Sequence, residues 1–222
     1  MTAYCLIHGS GQGPDGWRLL VHELERRDHR VLTPAFQVSR TDEGAAWHAE
    51  TIVNALDRSG MNPADVVCVA HSALIAERWS PRRMVFLAAV VPRPGVSIIE
   101  QYRADPPMFN PAWVGQNPLE DRVALDFVYH DCPPDRLDWA LSTRLVFYAK
   151  RAMEEPCPLR SWPAVPSTYV VCSDDRTITP AWQRKAAREL LGVEPIELPG
   201  GHFPHVSRPD ALADVLERVD NR

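Results

Sequence analysis

Several features that would assign a protein at once are missing from this chain. Its longest apolar run, Met84–Val91, holds eight residues, far short of the ~20 that a membrane-spanning helix needs. No basic block interrupts a net charge of −5, which argues against nucleic acid as a partner. The five cysteines contain no Cys-x-x-Cys pair, so structural zinc is not expected. Cys5, Cys68 and Cys172 fall inside strand-like runs and read as small buried hydrophobes. Cys132 and Cys157 lie in the middle region. This usage suits a reducing, cytoplasmic setting. The first residues, Met1-Thr2-Ala3-Tyr4, lack the charged and apolar segments of a signal peptide. There is no internal repeat and no low-complexity segment. What remains is 222 residues, 45% of them apolar, enough for one globular domain with a sizeable core.

Apolar strand-like runs alternate with helical patterns. Tyr4–His8, His29–Pro34, Asp65–Ala70, Met84–Val91, Ser167–Ser173 and Glu194–Leu198 read as six strands. Between them, Trp17, Leu20, Val21 and Leu24 repeat at helical spacing, as do Ala49, Ile52, Val53 and Leu56 before Gly60. Pro180 opens a helix through Leu191, and Pro209 one through Val219. Nearly continuous apolar strands alternating with helices predict an α/β fold: a mostly parallel sheet of about six strands covered on both faces.

Residues 94–166 break this rhythm with many prolines and the aromatics Phe109, Trp113, Phe127, Tyr129, Trp139, Phe147 and Tyr148. Pro133-Pro134-Asp135 reads as a helix start, with Leu137, Leu141 and Leu145 along its body. The segment is expected to be a lid inserted between the fourth and fifth strands, the core comprising 1–93 and 167–222.

The chemistry points to a serine at a strand end. Val66-Val67-Cys68-Val69-Ala70 leads directly into His71-Ser72-Ala73-Leu74. In G-x-S-x-G elbows, small residues let a strained strand-to-helix turn expose the serine oxygen. Here Ala70 and Leu74 hold the glycine positions. A serine hydroxyl needs a base, and the base needs an acid to hold its tautomer. His202, after Pro199-Gly200-Gly201, is the candidate base, with His205 its competitor. Asp175, in Ser173-Asp174-Asp175-Arg176, is the candidate acid. The order Ser72, Asp175, His202 is that of a strand-end triad. Oxyanion donors are expected from the backbone N–H groups of Ser10, in the loop after the first strand, and Ala73.

Each of these residues also has an ordinary role. A strand-end serine is commonly a turn residue, Asp-Asp before a helix a cap, and a histidine after Gly-Gly structural. Three of them at three strand ends, in this order, favour catalysis. His22, His29, His48 and His71 read as structural. His202 and His205 have a metal-like spacing but no third ligand, so no metal or cofactor is expected.

The chain resembles the α/β-hydrolase superfamily, most closely the branch of plant methylesterases, hydroxynitrile lyases and small bacterial esterases. The resemblance spans nearly the whole chain. It is carried by Leu6-Ile7-His8-Gly9, Trp17, Val69-Ala70-His71-Ser72, Tyr169–Asp175 and Gly200-Gly201-His202. It implies the same fold and triad roles. The lyases of that branch have threonine after the first-loop histidine and lysine after the catalytic one. Gly9 and Phe203 stand there in this chain, which points to the esterase side.

One departure is serious. Leu74 stands where relatives carry glycine, and only Ala73–Arg83 joins two strands expected to be parallel, near the lower limit of about 10–12 residues for such a crossover. Either this helix is shortened, or residues of it are missing from the chain. The leading expectation is a serine hydrolase cleaving a small ester, with no nucleic-acid or membrane partner. The alternative is a non-catalytic ligand-binding or biosynthetic accessory protein with a degraded elbow.

Overall fold

The computed structural model describes residues 1–9, 11–35, 44–70, 78–145 and 150–220. The strands in chain order are β1 (Ala3–Ile7), β2 (Gly11–Gln12), β3 (Arg30–Leu32), β4 (Val66–Ala70), β5 (Arg83–Leu87), β6 (Arg144–Leu145), β7 (Ser167–Cys172) and β8 (Ile196–Leu198). Six of them form one sheet in the order β3-β1-β4-β5-β7-β8, and every neighbouring pair is parallel. These match the six expected strands. β2 and β6 pair separately and antiparallel, Gly11 opposite Leu145 and Gln12 opposite Arg144.

The alternation of side chains explains why these strands read as unbroken apolar runs. Tyr4, Leu6, Val67, Val69, Val85, Leu87, Val170 and Cys172 point to one face, where they bury the helices Arg18–Glu25 and Pro209–Asp220 through Leu20, Leu24, Leu212 and Leu216. Cys5, Ile7, Val66 and Cys68 point to the other, against Ile52, Val53 and Leu56 of the helix Ala45–Ser59. Further along that second face, Met84, Phe86, Tyr169 and Val171 meet Trp182, Ala186 and Ala187 of the helix Pro180–Glu189. A parallel sheet covered on both sides has no polar face to alternate with.

Two expected boundaries move. The run Met84–Val91 leaves the sheet at Leu87, and Ala88 takes φ 45°. Ala89 and Val91 stay apolar because they remain buried beside Tyr102 and Met108. The helix opened by Pro134 ends at Ser142. Leu145, expected on that helix, instead pairs with Gly11 in β6, because the carbonyl of Thr143 is taken by Gly13 N–H at 3.1 Å. The tight crossover stands as topology: β4 and β5 are parallel neighbours with Val67 opposite Arg83, joined by residues 71–82.

The segment 94–166 is not uniform. Phe109, Trp162 and Val165 pack into the core beneath β5 and β7. A separate cluster forms around Ala124, Val128, Tyr129 and Ala140, with Trp113, Phe127, Leu137 and Trp139 against it. Phe203 and Val206, from the stretch after β8, close this cluster. Among the described residues, no helix is long and apolar enough to cross a membrane.

Leu20 is fully buried between its helix and the sheet. Replacing it by alanine removes that contact and leaves a cavity, so Leu20→Ala should lower the unfolding free energy by about 2–5 kcal/mol. Urea denaturation should show a lower midpoint at unchanged slope.

Candidate active site

Parallel strands deliver their C-terminal ends, and the loops that follow, to one edge of the sheet, where α/β proteins place their sites. Three loops matter here: those after β1, β7 and β8. Ser72, Ala73 and Ser10 lie outside the described residues. Asp175 and His202 lie within them and meet.

Asp175 follows β7, and its carboxylate is completely buried. Burying a charge without partners is costly, and this one has five donors. Oδ1 accepts from Thr177 N–H at 2.7 Å, the Thr177 hydroxyl at 2.9 Å and Ile178 N–H at 3.2 Å. Oδ2 accepts from Gln183 Nε2 and from His202 Nδ1, both at 2.8 Å. Asp174, the other aspartate, is exposed; its backbone N–H donates to Gly200 O at 2.9 Å. The choice between them is thus made by packing, with Asp175 turned inward.

An ionised carboxylate only accepts, so the proton of a neutral His202 sits on Nδ1. Thr177 Oγ1 is also 2.9 Å from that nitrogen, and its single proton is committed to Asp175, so it presents a lone pair to Nδ1–H. Nε2 is left with its lone pair. The His202 side chain is 21% exposed, open enough to meet a ligand.

His205 is a different kind of histidine. It is buried, lies on Trp17 with ring centroids 4.1 Å apart, and bonds through Nε2 to Gln12 Oε1 at 2.6 Å. Gln12 Nε2 donates to Thr143 Oγ1 at 2.9 Å and Tyr129 OH at 3.3 Å. Both hydroxyls pass their protons on to Ala140 O. The Gln12 amide must therefore donate to them, and its oxygen must accept from His205 Nε2–H. Burial, with a smaller push from His202, lowers the His205 pKa from 6.5 to about 3. A neutral ring with its N–H spent on Gln12 is a structural member of the core.

Three residues of this arrangement were not among those expected: Gln12, Thr177 and Gln183. Gln183 carried a partial signal. It sits among Trp182, Ala186 and Ala187 on the buried side of its helix, and a fully buried glutamine there calls for a partner. Its Oε1 accepts from Cys172 N–H at 3.1 Å, joining the end of β7 to the acid. His8, after β1, is buried, and burial lowers its pKa. Among the described residues, no group of three His, Cys, Asp or Glu side chains is placed to hold a metal ion.

The His205 assignment has a pH consequence. Its folded-state pKa lies below the unfolded value, so unfolding takes up a proton. The stability this site contributes is complete above about pH 6.5 and is lost as pH falls toward 3. In His205→Gln, which cannot charge, the fall in urea-derived stability over this window should be shallower than in the wild type. An identical slope would contradict the buried neutral ring.

A model of the alpha/beta hydrolase family matches residues 6–215. The chain is similar to the alpha/beta hydrolase nvfD of Aspergillus novofumigatus, 24% identical over 241 aligned positions that cover 98% of this chain and 96% of that protein. It is also similar to salicylic acid-binding protein 2 of Nicotiana tabacum, 26% identical over 253 positions covering 96% and 95%. Both aligned stretches exceed the 222 residues of this chain, so both relatives carry residues that it lacks. Among solved structures, an extracellular alpha/beta-hydrolase from a Paenibacillus species superposes with a TM-score of 0.79 at 16% identity, covering 98% of each chain. Polyneuridine aldehyde esterase superposes with a TM-score of 0.77 at 19% identity, covering 99% of each. With the family model running from β1 into the last helix, the chain belongs to the α/β-hydrolase family.

Proposed function

We propose that this protein is a serine hydrolase that cleaves a small carboxylic ester through an acyl-enzyme intermediate. The observation that carries the reading is the Asp175–His202 hydrogen bond of 2.8 Å. It leaves Nε2 of His202 with its lone pair on the loop after β8; in the sequence, Ser72 stands two residues after the end of β4, a strand of the same sheet. The names of solved relatives, polyneuridine aldehyde esterase and a pyrethroid hydrolase from Sphingobium faniae among them, support an ester as the bond attacked.

In this mechanism His202 Nε2 takes the proton of Ser72 as its oxygen attacks the ester carbonyl carbon. Asp175 stabilises the resulting imidazolium without itself taking the proton. The backbone N–H groups of Ser10 and Ala73 are the proposed donors to the oxyanion. Collapse of the tetrahedral intermediate breaks the carbon–oxygen bond of the leaving alcohol, which receives the proton from His202. A water molecule, deprotonated by the same Nε2, then releases the acid and restores Ser72. Residues 94–166 act in this reading as the lid, and the proposed substrate is an ester with an apolar or aromatic part.

The test is covalent and kinetic. A fluorophosphonate probe should label Ser72, and Ser72→Ala should abolish labelling and hydrolysis of p-nitrophenyl esters. His202→Ala should lower kcat by roughly 10³-fold or more. His205→Ala should do less, and Asp175→Asn should hurt more than Asp174→Asn. Labelling that survives Ser72→Ala would defeat the reading. The accessory-protein alternative, which the short crossover and Leu74 favour, predicts no labelling of the wild type.

A hydroxynitrile lyase needs a cation near the departing cyanide. Phe203 follows His202 and packs against Tyr129 and His205 with ring centroids 5.5 and 5.0 Å away. Mandelonitrile should therefore release cyanide no faster with the protein than in buffer alone.

A further inference from the structure

Two consecutive residues of the insertion, His130 and Asp131, reach the two loops that carry Asp175 and His202. His130 Nε2 lies 3.0 Å from Asp174 O, beside the acid. Asp131 Oδ2 accepts three hydrogen bonds from the histidine loop and its continuation: Gly201 N–H at 2.9 Å, the Ser207 hydroxyl at 3.0 Å and Arg208 Nη2 at 2.7 Å. From the next helix, Pro134–Ser142, Arg136 donates to the carbonyls of Val206 at 2.9 Å and Ser207 at 3.2 Å. Burial raises the Asp131 pKa, but the bonds from Gly201, Arg208 and Ser207 outweigh it, and the carboxyl stays below its ordinary value and ionised.

The glycines before His202 are shaped to this contact. A Cβ on Gly201 would lie 2.7 Å from both Asp131 Oδ1 and His130 Nε2. Gly200 has φ 122°, and a Cβ there would lie 2.5 Å from Arg208 Nε and 2.7 Å from Asp131 Oδ2. A side chain at either position would push the Asp131 carboxylate or its partners aside, and the φ of Gly200 favours glycine in its own right. The pair is partly exposed, so its own contribution to stability is modest. Asp131 Oδ1 and Arg208 Nε are buried with no hydrogen-bond partner among the described residues. What the pair does supply is a fixed height for the Gly201 peptide, next to His202. Asp174 N–H holds the adjoining Gly200 carbonyl from the side of β7.

We propose that Asp131 is a positioning residue: with Arg208 it clamps the Gly200–Gly201 turn so that His202 is held in place against Asp175. This rests on the reading of His202 as the base, and the test is chosen to separate the two. Wild type, Asp131→Ala, Asp131→Asn and, as a control, Asp121→Ala would be compared. Asp121 pairs with Arg144 elsewhere in the insertion. Two quantities are read: kcat and KM on a p-nitrophenyl ester, and the low-field NMR signal of His202 Nδ1–H, assigned by its loss in His202→Gln.

Asp131→Ala should lower kcat roughly 10- to 100-fold with KM changed less than about threefold, as for a small misplacement of a reacting group. It should also shift or broaden the Nδ1–H signal. Asp131→Asn, which keeps one oxygen for Gly201 N–H, should fall between it and the wild type, and Asp121→Ala should match the wild type in both readouts. If Asp131→Ala does not fold, Asp131→Asn carries the test. Wild-type kcat and an unmoved signal in folded Asp131 variants would overturn the proposal. If the wild type neither hydrolyses esters nor labels with fluorophosphonate, the hydrolase reading fails on its own. The Nδ1–H signal still decides the clamp: moved in Asp131→Asn supports it, unmoved overturns it.

Discussion

A carboxylate taken out of water has to be surrounded by donors, and the site is organised around meeting that demand at Asp175. Its five hydrogen bonds come from three places: the turn it begins, the helix that follows and the loop after β8. The turn is set by Thr177 and Ile178, whose N–H groups fold back onto Oδ1. The helix is registered by Gln183, which holds the acid with its amide nitrogen and the end of β7 with its oxygen. His202 completes the set. Losing any one donor would leave a buried charge less than satisfied, so these segments constrain one another.

The insertion acts on the same loops from the opposite side. Asn110 takes the Thr177 carbonyl with its N–H at 2.8 Å and the Arg176 carbonyl with its side chain at 2.9 Å. Arg176 donates to Asp126 O at 2.9 Å. β6 pairs with β2 in the loop after β1, where Gln12 ties Thr143 and Tyr129 to His205. Phe203 and Val206 belong to the insertion's own hydrophobic cluster. The segment therefore touches the loops after β1, β7 and β8 by backbone pairing, hydrogen bonds and apolar contact together. A piece of chain bound this way braces those loops.

Legibility in the sequence followed the range of the interactions. Strands buried on both faces announce themselves as short unbroken apolar runs, because each residue's environment repeats along the element. Helix ends at Gly60 and helix starts at Pro134 and Pro180 were visible for the same local reason. The end of β5 was not, since Ala89 and Val91 are buried outside the sheet as completely as Leu87 is within it. Leu145 kept a helical spacing but was claimed by β2. Thr177 lay within reach of a local argument, since Asp-x-Thr is a turn in which the aspartate accepts from the threonine. Gln12 and Asp131 were beyond one, because their partners lie as far off as His205 and Arg208.

By itself the sequence determined a parallel sheet covered on both faces and the chain order of Ser72, Asp175 and His202, because hydrophobic periodicity and strand-end position are written locally. Only the tertiary structure decided which aspartate turns inward and which histidine meets its carboxylate. Asp174 and Asp175 are adjacent and chemically identical, as are the rings of His202 and His205. What separates them is burial and the partner each finds: a carboxylate at 2.8 Å for His202, and Gln12 together with the face of Trp17 for His205. Those partners come from distant parts of the chain and exist only once the sheet has brought its strand ends together.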